Sequence, residues 1–191
     1  INLESGTATD NCGAVTISVS DETIAGSSIG TYLIVRTHTA SDDAGNSSAS
    51  VQTITVIDTT APELSIPSDY SVECSDEIVL ADATSTDNCG TSTVAIASQT
   101  VAGNAAGNYT IVRTFTASDD AGNTTTSIQT ITVQDTTAPV LSSVPEDATV
   151  ECSNVPTPSS DVTATDNCGS STITFNEVLT PGSCDGEYTL T

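Results

Sequence analysis

Lysine is absent from this 191-residue sequence, and arginine occurs only at Arg36 and Arg113. Lysine-based catalysis, Schiff-base chemistry and Lys–Asn isopeptide crosslinks are thereby excluded. So is a phosphate-neutralising surface. Two cations against 25 acidic residues leave a net charge of −23, which nucleic acid and anionic membranes repel. Tryptophan is missing, and four Tyr with two Phe allow only a thin, aliphatic core with little wall for a sugar cleft. The sole histidine, His38, stands in a chain without CxxC pairs, so zinc-ligand spacing is lacking. No run of roughly 18 apolar residues predicts a membrane span, and the N-terminus has no signal-peptide pattern. Helical periodicity of useful length is lacking as well.

What remains is a β-forming composition. Hydrophobic residues reach 36% while charged ones stay at 14%, which separates the chain from disordered acidic segments. Val, Ile and Thr fill the spaces between turns, and β-branched side chains suit a pleated surface. "YTIVRTFTA" and "TSIQTITV" alternate as half-buried antiparallel strands do. "ELSI" with "YSVEC", "EIVLA" and "STVAIAS" are the other strand candidates, with Gly, Asp, Asn and Pro between them.

Motifs recur at nearly constant spacing. "TDNCG" carries Asp10, Asp87 and Asp166; "DTTAP" begins at Asp58 and Asp135; "VECS" carries Cys74 and Cys152; "SDDAGN" carries Asp42 and Asp119. The period is about 77 residues, the size of a small independent β-domain. Division at "DTTAP" gives residues 1–57 as the C-terminal part of one repeat, 58–134 as a complete repeat and 135–191 as the N-terminal part of a third. The expected fold is all-β: tandem immunoglobulin-like β-sandwich repeats forming an elongated rod, cut as a window from a longer array. Tyr32, Tyr109 and Tyr188 each open an alternating strand, which fits a tyrosine corner.

Six cysteines predict disulfides in an oxidising, extracellular setting. The complete repeat holds Cys74 and Cys89, so their pairing is the simplest expectation, with Cys152–Cys168 the matching pair. A simple meander places Cys74 and Cys89 near opposite ends of a sandwich, so this pairing demands a kinked first strand. Cys12 and Cys184 are expected to have partners outside the window. A staple contributes roughly 3 kcal/mol, which matters to domains this small.

The carboxylates concentrate where loops of an alternating sandwich share a pole. The middle repeat places Asp58, Asp87, Asn88, Asp119, Asp120 and Asn123 there; the third places Asp135, Asp166 and Asn167; the first places Asp10, Asn11, Asp42, Asp43 and Asn46. Clustered carboxylates repel, and calcium, which takes six to eight oxygen ligands, resolves the repulsion. Asp58 and Asp135 are the expected linker ligands, and the Asp42/Asp43 and Asp119/Asp120 pairs the loop ligands. The bland alternative is that Asp, Asn and Gly are good turn residues. Catalysis is not expected: the acid pairs recur once per repeat, His38 stands where Phe115 does, and no serine has a His–acid partner. Arg36 and Arg113 share a repeat position and are expected to pair with carboxylates such as Glu73 or Glu151.

"TATDNCG", "TASDDAGN", "TITVQDTTAPVL" and "ATVECS" together resemble the HYR family of immunoglobulin-like extracellular repeats. They are most similar to tandem repeats of very large Bacteroidetes surface adhesins of the SprB gliding-motility type. The resemblance implies a filament exported by the type IX route, displayed on the cell surface and moved over a substratum. It implies calcium at Asp58, Asp135, Asp42, Asp119, Asn46 and Asn123, and an O-glycosylation motif at Thr59 and Thr136. Many members carry a cysteine within the loop that here reads "SDDAGN", so a second disulfide is missing there.

The leading expectation is a structural stalk of a cell-surface adhesin, stiffened by calcium and disulfides. Its partners are neighbouring repeats and an extracellular substratum or surface polysaccharide, without nucleic acid or membrane insertion. Two alternatives stay open: a carbohydrate- or protein-binding accessory module of a secreted protein, and a self-assembling surface filament subunit.

Overall fold

The computed structural model describes residues 6–183 and 186–191, and Cys184 lies outside them. The fold is all-β and immunoglobulin-like, with no helix among the described residues. Three long strands, β1 (Val15–Ala25), β2 (Tyr32–Asp42) and β3 (Ser47–Val56), form an antiparallel sheet in that order. A second sheet has the order β5 (Tyr70–Glu73), β9 (Thr124–Gln134), β8 (Tyr109–Asp119), β7 (Ser92–Ala102). Short ribbons pair β4 (Glu63–Ser65) with β6 (Thr84–Thr86), β10 (Val140–Ser142) with β11 (Thr163–Thr165), and β12 (Leu179–Pro181) with β13 (Tyr188–Leu190). Tyr32, Tyr109 and Tyr188 open β2, β8 and β13, where the sequence placed them.

The chain divides into two compact units. One takes the chain up to Pro67 with Ala81–Ala97 and Arg113–Gln129. The other takes Ser68–Leu80, Ser98–Val112 and everything from Thr130. In the first, Phe115 and Ala117 are fully buried on alternate positions of β8, with Arg113 and Gln129 also buried. In the second, Ile131 and Val133 alternate inward on β9 at 0% and 1% exposure. This is the period-two pattern of strands covered on one face.

The long strands turn back through loops built on glycine and local hydrogen bonds. In "SDDAGN", Gly45 and Gly122 have φ of 92° and 94°, a region that side-chain-bearing residues avoid. Asp42 N–H donates to Asn46 O and Asp119 N–H to Asn123 O, both at 3.1 Å, closing the two hairpins alike.

Two strand expectations are corrected. The first strand breaks at Ile66–Asp69 around Pro67, which has no N–H to give a ladder. Its halves, β4 and β5, enter different sheets, and β5 pairs parallel with β9, Tyr70 opposite Ile131 and Glu73 opposite Gln134. "EIVLA" (77–81) is not a strand. Its carbonyls serve side chains instead: Tyr70 Oη donates to Val79 O at 2.8 Å and Arg113 to Ala81 O at 2.7 Å.

Candidate functional site

Asp recurs just before a turn, and its first role is local. Asp10, Asp58, Asp87, Asp135 and Asp166 each accept the backbone N–H two residues on, at 2.8–3.1 Å. The asparagine-type turn this makes explains why "DNC" and "DTT" begin with Asp. In the hairpin loops, Asp42 and Asp119 accept from Asn46 and Asn123 through both backbone and side-chain nitrogen, every bond 2.8 Å. These bonds hold the Asp42 carboxyl below its usual value. At Asp119 burial pushes upward, but hydrogen bonds from Asn123, Gly122 and Ala121 outweigh it and the net shift is downward.

Within the first unit, Asp58 after β3, Asp87 between β6 and β7, and Asp119 at the end of β8 converge. One carboxylate oxygen from each lies within 4.8 Å of the others. Asn123 adds a weak contact from its amide to Asp58 O at 3.4 Å. Asp87 Oδ2 takes the Cys89 N–H, while its buried Oδ1 has no hydrogen-bond partner. Neither arginine compensates the charge. Arg36 makes a two-pronged pair with Asp21 at 2.7 and 2.8 Å, and Arg113 gives Nη1 to Ala81 O and Gln129 Oε1. Pairing of the arginines with Glu73 or Glu151 is therefore corrected: Asp21 faces Arg36 directly across the β1–β2 ladder. The donor set, three hard oxygen anions with one orphaned oxygen, fits a divalent cation such as calcium and lacks the nitrogen or sulfur that zinc favours.

The remaining candidates are placed differently. Asp120 accepts the Thr91 hydroxyl at 2.8 Å, and Asn88 turns its amide to Cys89 Sγ. Asp43 and Asn46 are exposed, as are Asp10 and Asn11. Asp135 lies beside Glu73, Cys74 and Cys168, whereas Asp166 is occupied in its own turn. Thr59 is exposed, but the Thr136 hydroxyl is engaged by Glu73 at 2.6 Å. His38 lies on β2 with a buried Nδ1 that has no partner.

The second unit holds the disulfide, and it corrects the expected pairing. Cys74 bonds Cys168, 94 residues away with Cα atoms 5.9 Å apart, while Cys12, Cys89 and Cys152 are free thiols. Cys74–Cys89 and Cys152–Cys168 fail because β5 runs parallel to β9 and carries Cys74 away from the "TDNCG" turn of its own repeat. It arrives at the "TDNCG" turn that follows the next "DTTAP". Glu73, adjacent, reinforces that connection. Its carboxylate accepts Thr136 N–H at 3.2 Å, the Thr136 hydroxyl, and Asn167 Nδ2 at 3.2 Å, bonds that favour the ionised form and hold its pKa below the usual value. Sequence reasoning missed this role. The available signal was "VEC", which repeats the same Glu beside Cys at Glu73 and Glu151.

The comparison with known families falls on these elements. Residues 62–133 match the HYR-like domain with 4 cysteines. The matched segment runs from Pro62, buried before β4, to Val133 near the end of β9. Only Cys74 and Cys89 lie inside that HYR-like segment, and Cys74 bonds a residue beyond it. No curated protein matches the chain.

Proposed function

We propose that this chain is a non-enzymatic segment of an extracellular adhesin stalk, built from HYR-type repeats divided at 1–57, 58–134 and 135–191. Calcium held by Asp58, Asp87 and Asp119 and disulfide stapling stiffen it. The observation that carries the reading is the convergence of three carboxylates within 4.8 Å, with both arginines engaged elsewhere. A bound calcium supplies the missing positive charge. The chain's own residues do the rest: Asp119 is preset by Asn123, Asp87 offers its unpartnered oxygen, and Asp58 fixes the "DTTAP" segment to both loops. The extracellular placement is supported by the HYR-like match and by a disulfide, since such bonds persist in oxidising compartments. Cell-surface display through type IX export and a role in gliding over a substratum extend the same reading, as do neighbouring repeats as partners.

The test is a calcium titration of the chain from EGTA, following thermal unfolding, beside the variant Asp87→Asn. Saturating calcium at about a hundred times its dissociation constant raises stability by about 2.7 kcal/mol in the parent chain. The variant loses most of that gain. An equal response in both, or none up to millimolar calcium, removes the metal from the reading.

A further inference from the structure

β3 and β9 share their sequence pattern but not their surroundings. β9 has neighbours on both sides, β8 and the parallel β5, and its Ile131 and Val133 are buried. Among the described residues β3 ends its sheet with only β2 beside it, and its matching Ile54 and Val56 remain half-buried. The next residue, Ile57, is 65% exposed. Among the described residues nothing pairs along the outer edge of β3, where β9 carries β5.

Cys89 repeats the contrast. Cys168 packs on Gly107, whose hypothetical Cβ would lie 3.0 Å from the Cys168 Cβ, and Cys74 delivers its sulfur to that spot from the end of β5. Cys89 packs on Gly30, whose Cβ would collide with the Cys89 carbonyl and lie 2.9 Å from its Cβ. Gly30 and Gly107 share left-handed φ of 78° and 77°. Cys89 therefore occupies the setting of Cys168, beside the bare strand, as a free thiol. A complementary observation comes from Cys152. Its segment, "DATVEC", matches β5 in sequence, but no strand accompanies it and Val150 is 47% exposed. A β5-type segment becomes a strand only where a β9-type edge receives it.

We propose that the β3 edge and Cys89 form a receptor for a β5-type strand, one that sits beside β3 as β5 sits beside β9. That strand pairs parallel along Ile54–Ile57, and its cysteine closes a disulfide with Cys89. In the formed pair, two thiols lose two protons and two electrons to an external disulfide, such as that of a thiol oxidoreductase, which is reduced to its dithiol. This inference is independent of calcium.

The probe is a synthetic peptide with the sequence of residues 68–76, its cysteine activated as a 2-pyridyl disulfide. A peptide of scrambled sequence with the same activated cysteine serves as reference. The Cys89 thiolate attacks the peptide sulfur, the bond to the pyridine-2-thiol breaks, and pyridine-2-thione leaves. Site-resolved mass spectrometry reads the rates on the full chain. At Cys89 the β5 sequence reacts at least about tenfold faster than the scrambled one, while at Cys12 and Cys152 the two react alike. In the conjugate, amide exchange slows at β3. The comparison of rates cancels the intrinsic sluggishness of Cys89, whose thiol is pushed up by burial and by Asp58, Asp87 and Asp119. Oxidation of the chain alone into Cys89–Cys152 oligomers also supports the receptor, with the strand coming from a second copy. Equal rates for both peptides at Cys89, or a conjugate without added protection at β3, overturn it.

Discussion

Replacing Cys74 and Cys168 together by alanine removes one crosslink and little packing. The closed loop spans 94 residues, and chain-entropy scaling gives about 4.7 kcal/mol at 25 °C for a loop of that length. For a chain of this size each kcal/mol moves the melting temperature by about 2–4 °C, so the variant melts roughly 9–19 °C lower. Scanning calorimetry of the parent, the double variant and the reduced parent measures it, and the last two agree. Replacing Cys89 and Cys152 instead leaves the transition within about 2 °C, because neither thiol is bonded. The connectivity is checked separately through the scarcity of arginine. Trypsin cuts only after Arg36 and Arg113, giving fragments 1–36, 37–113 and 114–191. The Cys74–Cys168 bond joins the last two fragments without reductant, also in the Cys89/Cys152 variant. A 37–113 fragment that separates unreduced, or a reduction shift under about 2 °C, refutes the reasoning.

Three further outcomes are expected. Arg113→Met removes the buried Nη1 hydrogen bonds to Ala81 O and Gln129 Oε1 and costs about 2–4 kcal/mol in urea denaturation, despite similar stem volume. Phe115→Ala opens a cavity at a site of 0% exposure and costs about 3–5 kcal/mol, whereas His38→Ala at the matching position of β2 costs less than half as much. The Glu73 carboxyl lies below its ordinary 4.5, first through the Thr136 hydroxyl and then through Thr136 N–H and Asn167. Its stabilisation is therefore full above about pH 4.5 and is lost as pH falls through the lower folded value. Glu73→Gln flattens that acid limb, read from urea midpoints at neutral pH and near pH 3.

The long strands were legible because alternation is local: β7, β8 and β9 lie where "STVAIAS", "YTIVRTFTA" and "TSIQTITV" predicted them. Short strands depend on a partner. Thr84–Thr86 and Thr163–Thr165 are strands against β4 and β10, while the equivalent Thr7–Thr9 is not one. Composition carries no information about that difference. The same holds for the candidate site. Asp58, Asp87 and Asp119 were among the expected ligands, and the fold gathers them, but it leaves Asp42 closing its own hairpin and Asp43 exposed. The cysteine pairing was not legible because it depends on β5 running parallel to β9, a topological fact that spacing within one repeat does not contain.

The Cys74–Cys168 bond also decides how the chain answers a pull on its ends. Tension applied outside residues 74 and 168 passes through sulfur rather than through the backbone between them. That 94-residue stretch, "DTTAP" included, is shielded from extension while the bond lasts. Reduction would release on the order of 300 Å of contour.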